Sequence, residues 1–177
     1  MNYSSIDEIY AANDATRIEL ITLLGAVTAE RESVIPTGEI WSVAHNAEHV
    51  QIVEYGMFRI CSKLLGEAEK NGELSDGKIL ISDSMIAGAE VLKTKKNEAP
   101  DRVKPTGLQN IAGSIEKMHH TRQQLNDLRP RFETYDGNRH KFPHPFFGHL
   151  SAIEWLILIG FHESRHIAQI RRIVASL

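Results

Sequence analysis

The sequence predicts an all-α fold, an antiparallel four-helix bundle with a long crossover connection, in a single domain over residues 1–177. Three observations predict it. Four stretches repeat apolar residues at helical spacing. No convincing alternation of apolar and polar residues marks a strand. The charged, glycine-bearing connection from Glu67 to Lys104 is long enough to cross a bundle.

The first helix opens at Ser5-Ile6-Asp7-Glu8, which reads as a capping box with acidic residues in the first turn. Ile6, Ile9, Tyr10, Asn13, Arg17, Leu20, Leu24 and Val27 form its stripe to about Glu30. Asn13 and Arg17 interrupt it, either as snorkelling side chains at its edge or as polar groups lining a site. Pro36 and Gly38 mark the loop from Ser33 to Ile40. The second helix starts at Trp41-Ser42, with Ser42 as N-cap, and runs to about Gly66. Its stripe is His45, His49, Ile52, Val53, Gly56 and Ile60. The long connection holds an apolar piece at Lys78–Ser82 and a short helix from Asp83 to Lys93, and Lys93–Lys96 reads as a solvated face. The third helix starts between Thr106 and Asn110 and ends before Pro130, with Ile111, Ile115, Met118, Arg122, Leu125 and Leu128 inward. His119 and His120 belong at its surface or rim. Arg129 to His149 is a second long loop, whose Phe142, Phe146 and Phe147 are expected to cover an end of the bundle. Ser151-Ala152-Ile153-Glu154 is a capping box that opens the last helix, to Leu177.

Composition narrows the function. Of the residues, 42% are hydrophobic and 24% charged, and the net charge is −3 with no basic run, so nucleic acid is not an expected partner. Apolar runs fall far short of the ~18 residues that a membrane span needs. The N-terminus has no basic region followed by an apolar run, so no signal peptide is expected. The lone cysteine, Cys61, excludes an internal disulfide and fits a reducing, cytoplasmic setting. The expected partners are a small-molecule substrate and a second copy of the chain, as a homodimer.

Nine histidines is a high count, and within the predicted helices four of them form two i, i+4 pairs, His45/His49 and His162/His166. Residues four apart lie ~40° apart around a helix and ~6 Å along it, so two imidazoles can converge on one point. His162 and His166 share a stripe with Trp155, Leu158, Ile159, Gln169, Ile170 and Ile173. A buried imidazole left unpaired costs roughly 1–3 kcal/mol. A metal ion would satisfy both rings; so would neighbouring side chains. His162-Glu163-Ser164-Arg165-His166 also matches H-E-x-x-H, but no His, Asp, Glu or Cys follows His166, so a third ligand must lie upstream. In the second helix His49 lies among apolar neighbours and is the better candidate. His45, in the first turn, reads as facing water or bonding locally.

Four motifs, in order, resemble the DinB-like superfamily of helical-bundle metalloproteins. They are Trp41-Ser42 followed by His49; Ala99-Pro100 with Lys104-Pro105-Thr106-Gly107; His144-Pro145-Phe146-Phe147-Gly148 with Glu154-Trp155-Leu156; and His162-x3-His166-x2-Gln169-Ile170. The resemblance implies an antiparallel bundle with one divalent transition metal held by His49, His162 and His166. One departure is His45, at a position that often holds an acid or amide completing the helix cap; it implies a fourth imidazole near the site or a different cap.

Three nitrogen ligands leave an open position, the pattern of a catalytic site. Imidazole does not discriminate among zinc, nickel and iron. The resemblance implies a transferase using a low-molecular-weight thiol as cofactor. The alternatives are a hydrolase, with Glu163 as candidate base, and a metal- or ligand-binding stress protein without catalysis. Glu163 reads otherwise as an exposed carboxylate or one lying behind the ligands. Cys61, ~18 Å along the helix and ~120° around it from His49, is expected to be neither ligand nor nucleophile.

Overall fold

The computed structural model describes residues 2–94 and 98–177, without the side chains of Lys93 and Thr94. The expected Lys93–Lys96 face lies outside the described residues and side chains. The helices are α1 (Ile6–Gly25), α2 (Ala29–Glu32), α3 (Val43–Lys70), α4 (Asp83–Thr94), α5 (Ile111–Thr134) and α6 (Ala152–Ala175). A single 3-10 turn spans Asp101–Val103, and β1 (Lys141–His144) pairs with β2 (Gly148–Ser151) in an antiparallel hairpin.

The long helices α1, α3, α5 and α6 make the bundle. Pairings between them fix direction. Asn13 with Leu156 and Glu19 with Arg171 run α1 parallel to α6. Asp14 with Arg122 and Asp7 with Arg129 run α1 antiparallel to α5. Asn46 with His166 and Cys61 with Ala152 run α3 antiparallel to α6. The order is therefore up, down, down, up. Two successive helices, α3 and α5, point the same way side by side, so the chain must return along the bundle between them. That is the expected crossover, and it contains α4.

Most starts follow the sequence. Ser5, Ser42, Asn110 and Ser151 are the N-caps, each accepting a backbone N–H three residues on. Ser151 and Glu154 form a full capping box. At α1 the box is displaced: the Glu8 carboxylate bonds Ser4 rather than returning to Ser5.

Four boundaries differ from the expectation. α1 stops at Gly25, because Thr28 turns extended and starts the separate turn of α2 without a side-chain cap. α3 runs past Gly66, where a side chain would meet only Arg131, and ends at Asn71 before Gly72, which takes φ +67°. α5 continues through Pro130. Proline removes one internal hydrogen bond, but Phe132, two residues on, is fully buried, and its burial outweighs the lost bond. The hairpin was not expected, since Pro143 and Pro145 break its alternation; only four residues pair on each side.

The core has two apolar layers. One holds Leu65, Leu125, Phe132 and Leu156; the other holds Leu20, Leu24, Val50, Met118 and Ile170. Between them lies a charged layer with one residue from each long helix: Arg17, Glu54, Arg122 and Glu163. Among the described residues no helix is long and apolar enough to cross a membrane.

Candidate metal centre

His49 stands two turns into α3 and is only 5% exposed. Its Nδ1–H donates to the Val103 carbonyl in the 3-10 turn, at 2.7 Å. This leaves the Nε2 lone pair free. On α6, His166 donates Nδ1–H to Asn46 Oδ1 at 3.0 Å, and the Asn46 amide is itself held by the Ser42 carbonyl at 2.9 Å. His162 completes the group, its Nε2 3.2 Å from His49 Nε2. One ring nitrogen from each of the three histidines lies within 4.8 Å of the others.

This donor set fits a divalent transition metal. Two nitrogens bound at about 2.0–2.1 Å to a tetrahedral ion lie roughly 3.3 Å apart, close to the His49–His162 spacing. Protonation agrees. Burial pushes the pKa of His162 well below the usual histidine range and that of His166 down to about 3. Burial also lowers His49, opposed by its bond to Val103. All three are neutral near pH 7, the form that ligates. Trp41 supplies an aromatic wall, tilted over His49 and stacked beside His166.

His45, His119 and His120 stay apart from this group. His45 accepts the Ser42 backbone N–H on Nδ1 while Ser42 Oγ accepts the His45 N–H, so imidazole replaces the expected acid or amide in a capping box. This is the different cap that its departure from the family pattern implied. His119 and His120 are exposed on α5.

Glu163 is neither exposed nor placed as a base. It is 1% exposed and paired with Arg17 and Arg122 in the charged layer. Its backbone neighbours His162, but the next side chain on a helix points ~100° away. Arg17 and Asn13 likewise neither snorkel nor line the site. Arg17 joins Glu54 at 2.6 Å, and Asn13 donates to the Leu156 carbonyl at 2.9 Å, filling the space beside Gly160.

The histidines form one wall of a cavity of about 960 Å³. Leu158 and Phe161 from α6, Val53 and Met57 from α3, and Phe142 and Phe147 of the hairpin segment supply apolar walls. The aromatics expected to cover an end of the bundle thus line this cavity, Phe146 half exposed. His144, on β1, also lines the cavity. Its Nδ1 accepts the Phe146 N–H at 3.1 Å, and burial with the nearby Arg102 charge pushes its pKa down to about 4.

Several supporting groups escaped the sequence reading. Asn46 had a signal, one turn after the N-cap and three residues before His49. The Val103 carbonyl had none, because backbone acceptors leave no residue type to read. Glu48 is buried and accepts from Thr106 Oγ1 and, at 2.9 Å, from the Gly107 N–H. That fastens the Pro105-Thr106-Gly107 segment beside α3.

Comparison with known proteins agrees with this architecture. The uncharacterized protein YuaE of Bacillus subtilis (strain 168) is 26% identical over 159 residues, covering 89% of this chain and 91% of that one. A solved structure, TT2238, described as a four-helix bundle protein, superposes with a TM-score of 0.63 at 22% identity, over 94% of this chain and 98% of its own. The family model of the DinB superfamily matches residues 12–170, which takes in every motif named above, and the chain belongs to that superfamily.

Proposed function

We propose that the chain is a metal-dependent transferase that holds one divalent transition metal through His49, His162 and His166 and acts on a low-molecular-weight thiol. The observation behind this reading is the convergence of three neutral imidazoles on the wall of a roomy, largely apolar cavity. Zinc, nickel and iron all suit such a donor set. Bound there, the ion would supply Lewis acidity and stabilise a ligating sulfur as thiolate.

The chain's own residues bind and orient. Val103 and Asn46 each fix one ring, so His49 and His166 are oriented before anything binds. The apolar walls exclude water from the reacting groups. The sulfur must come from outside. Cys61 is fully buried, its Sγ donates to the Ala152 carbonyl at 3.6 Å, and burial raises its pKa, so it stays a thiol. The hydrolase reading lacks a base in Glu163, whose partners are arginines.

Two measurements test this. Metal analysis should find about one ion per chain, lost in His49→Ala and His162→Ala and kept in His45→Ala. Full occupancy in the first two variants rejects the ligand set. The metal-loaded protein, mixed with small thiols and a chromogenic electrophile, should turn over, as should Cys61→Ala. Turnover that survives metal removal rejects the mechanism.

A further inference from the structure

The cavity carries a charge pattern that the metal reading does not require. Five cationic side chains line it: Arg59 and Lys63 from α3, Arg102 from the 3-10 turn, Lys104, and Arg165 from α6. Among the described lining residues the one acid is Glu98, at 2.9 Å from Lys104, which also pairs with Asp101. Lys63 sits over the Phe142 ring, 5.0 Å from its centroid. Arg59, Arg102 and Arg165 have no carboxylate partner among the described residues. The chain as a whole is net negative, so this concentration of positive charge is local.

Arg165 is the informative member. It is half-buried, whereas Arg59 and Arg102 are exposed. It directly precedes His166 and follows His162 by three residues on α6, so its charge stands beside the candidate ligand group. A cation beside a candidate metal centre opposes binding of a second cation, so its position asks for a compensating anion. Trp155 also lines the cavity.

We propose that this cavity selects a small anionic molecule with an apolar body, its anionic oxygens taken by Arg165, with Arg59 and Arg102 drawing it in from the mouth. Guanidinium matches the planar fork of a carboxylate and the faces of a phosphate with paired N–H donors. The exposed arginines raise the local concentration of anions and speed their entry. Leu158 and Phe161 take the apolar body. The proposal rests on the cavity being the substrate site of the function proposed above, and it names the class of substrate.

The test titrates metal-loaded and metal-stripped protein with phenylacetate, phenyl phosphate and the neutral phenylacetamide, reading tryptophan fluorescence. Both tryptophans, Trp41 and Trp155, line the cavity. At least one anion should bind about tenfold or more tighter than the amide in both metal states, with affinity falling as salt rises. Which anion binds tighter separates carboxylate from phosphate. Arg165→Gln should lower anion affinity about tenfold and leave the amide unchanged. Arg102→Gln, at an exposed site where misfolding is not at issue, should lower it severalfold. Absence of saturable anion binding, equal affinity for the amide, or unchanged affinity in both variants overturns the proposal. A preference seen only with metal bound also overturns it, since the anion would then be ligating the ion. Loss of metal binding with the anion preference intact would reject the metal reading and leave this one standing.

Discussion

At the scale of single residues, the site depends on three histidines kept neutral by burial. Each has a folded-state pKa below its unfolded value of about 6.5. Below that pH the unfolded chain binds protons that the folded chain refuses, so stability falls as pH falls. The contribution is fully present above pH ~6.5 and is lost towards the folded value, about 3 for His166. Metal-free protein should therefore lose roughly 1–2 kcal/mol at His166 between pH 7 and 5, with His49 and His162 acting in the same direction. Urea midpoints at the two pH values measure this, and His166→Gln should flatten the dependence; equal slopes in the two proteins would refute the assignment. The candidate pair His162 and His166 was legible in the sequence because i, i+4 spacing is a property of one helix, and His49 was marked by its apolar neighbours and by the family resemblance. Their supports were not. Val103 reaches His49 across 54 positions, through a backbone atom common to every residue type.

At the scale of elements, the charged layer registers four helices against each other. Arg17 interrupts the stripe of α1 and Arg122 that of α5, so both were visible as polar intruders. Their pairing with Glu54 and Glu163 was not, since it depends on how far each helix slides along its neighbour. Burial pushes the Glu54 pKa up, with Arg17 and Arg122 opposing the shift. Removing one member leaves a buried charge uncompensated. Arg17→Met should cost about 3–5 kcal/mol in denaturant unfolding. Replacing all four residues with apolar ones of similar volume should cost much less, or stabilise. A loss below 1 kcal/mol for Arg17→Met alone would mean that water reaches the layer. Glu163→Gln should destabilise in the same sense yet keep the metal, which separates this carboxylate from the ligands beside it. The hairpin and the passage of α5 through Pro130 were illegible for a related reason. Both run against local propensity and persist because Phe132 and Leu150 are buried by the rest of the fold.

At the scale of the whole molecule, the parallel placement of α3 and α5 obliges the chain to cross the bundle, and that crossing builds the site. The long connection and four helical stripes made the architecture readable; the route of the connection was not, because it is pinned by single side chains. Glu154 takes the Ser82 N–H and hydroxyl at one end. Glu48 takes Thr106 and Gly107 at the other, where Gly107 adopts φ +76° and a Cβ would come within 3.0 Å of His45 Nε2. Between these anchors lies Val103, whose carbonyl orients His49. Glu48 touches no metal ligand directly through its side chain, but its loss frees the segment that holds one. Glu48→Ala should cost roughly 1–3 kcal/mol of stability by stranding the Gly107 N–H and the Thr106 hydroxyl. It should also weaken metal binding about 10–100-fold with all three histidines intact, as loss of an outer support does. Chelator competition on folded protein separates the two effects, because affinity is then measured below the unfolding midpoint. Wild-type affinity in Glu48→Ala would show that the crossover covers the site without tuning it.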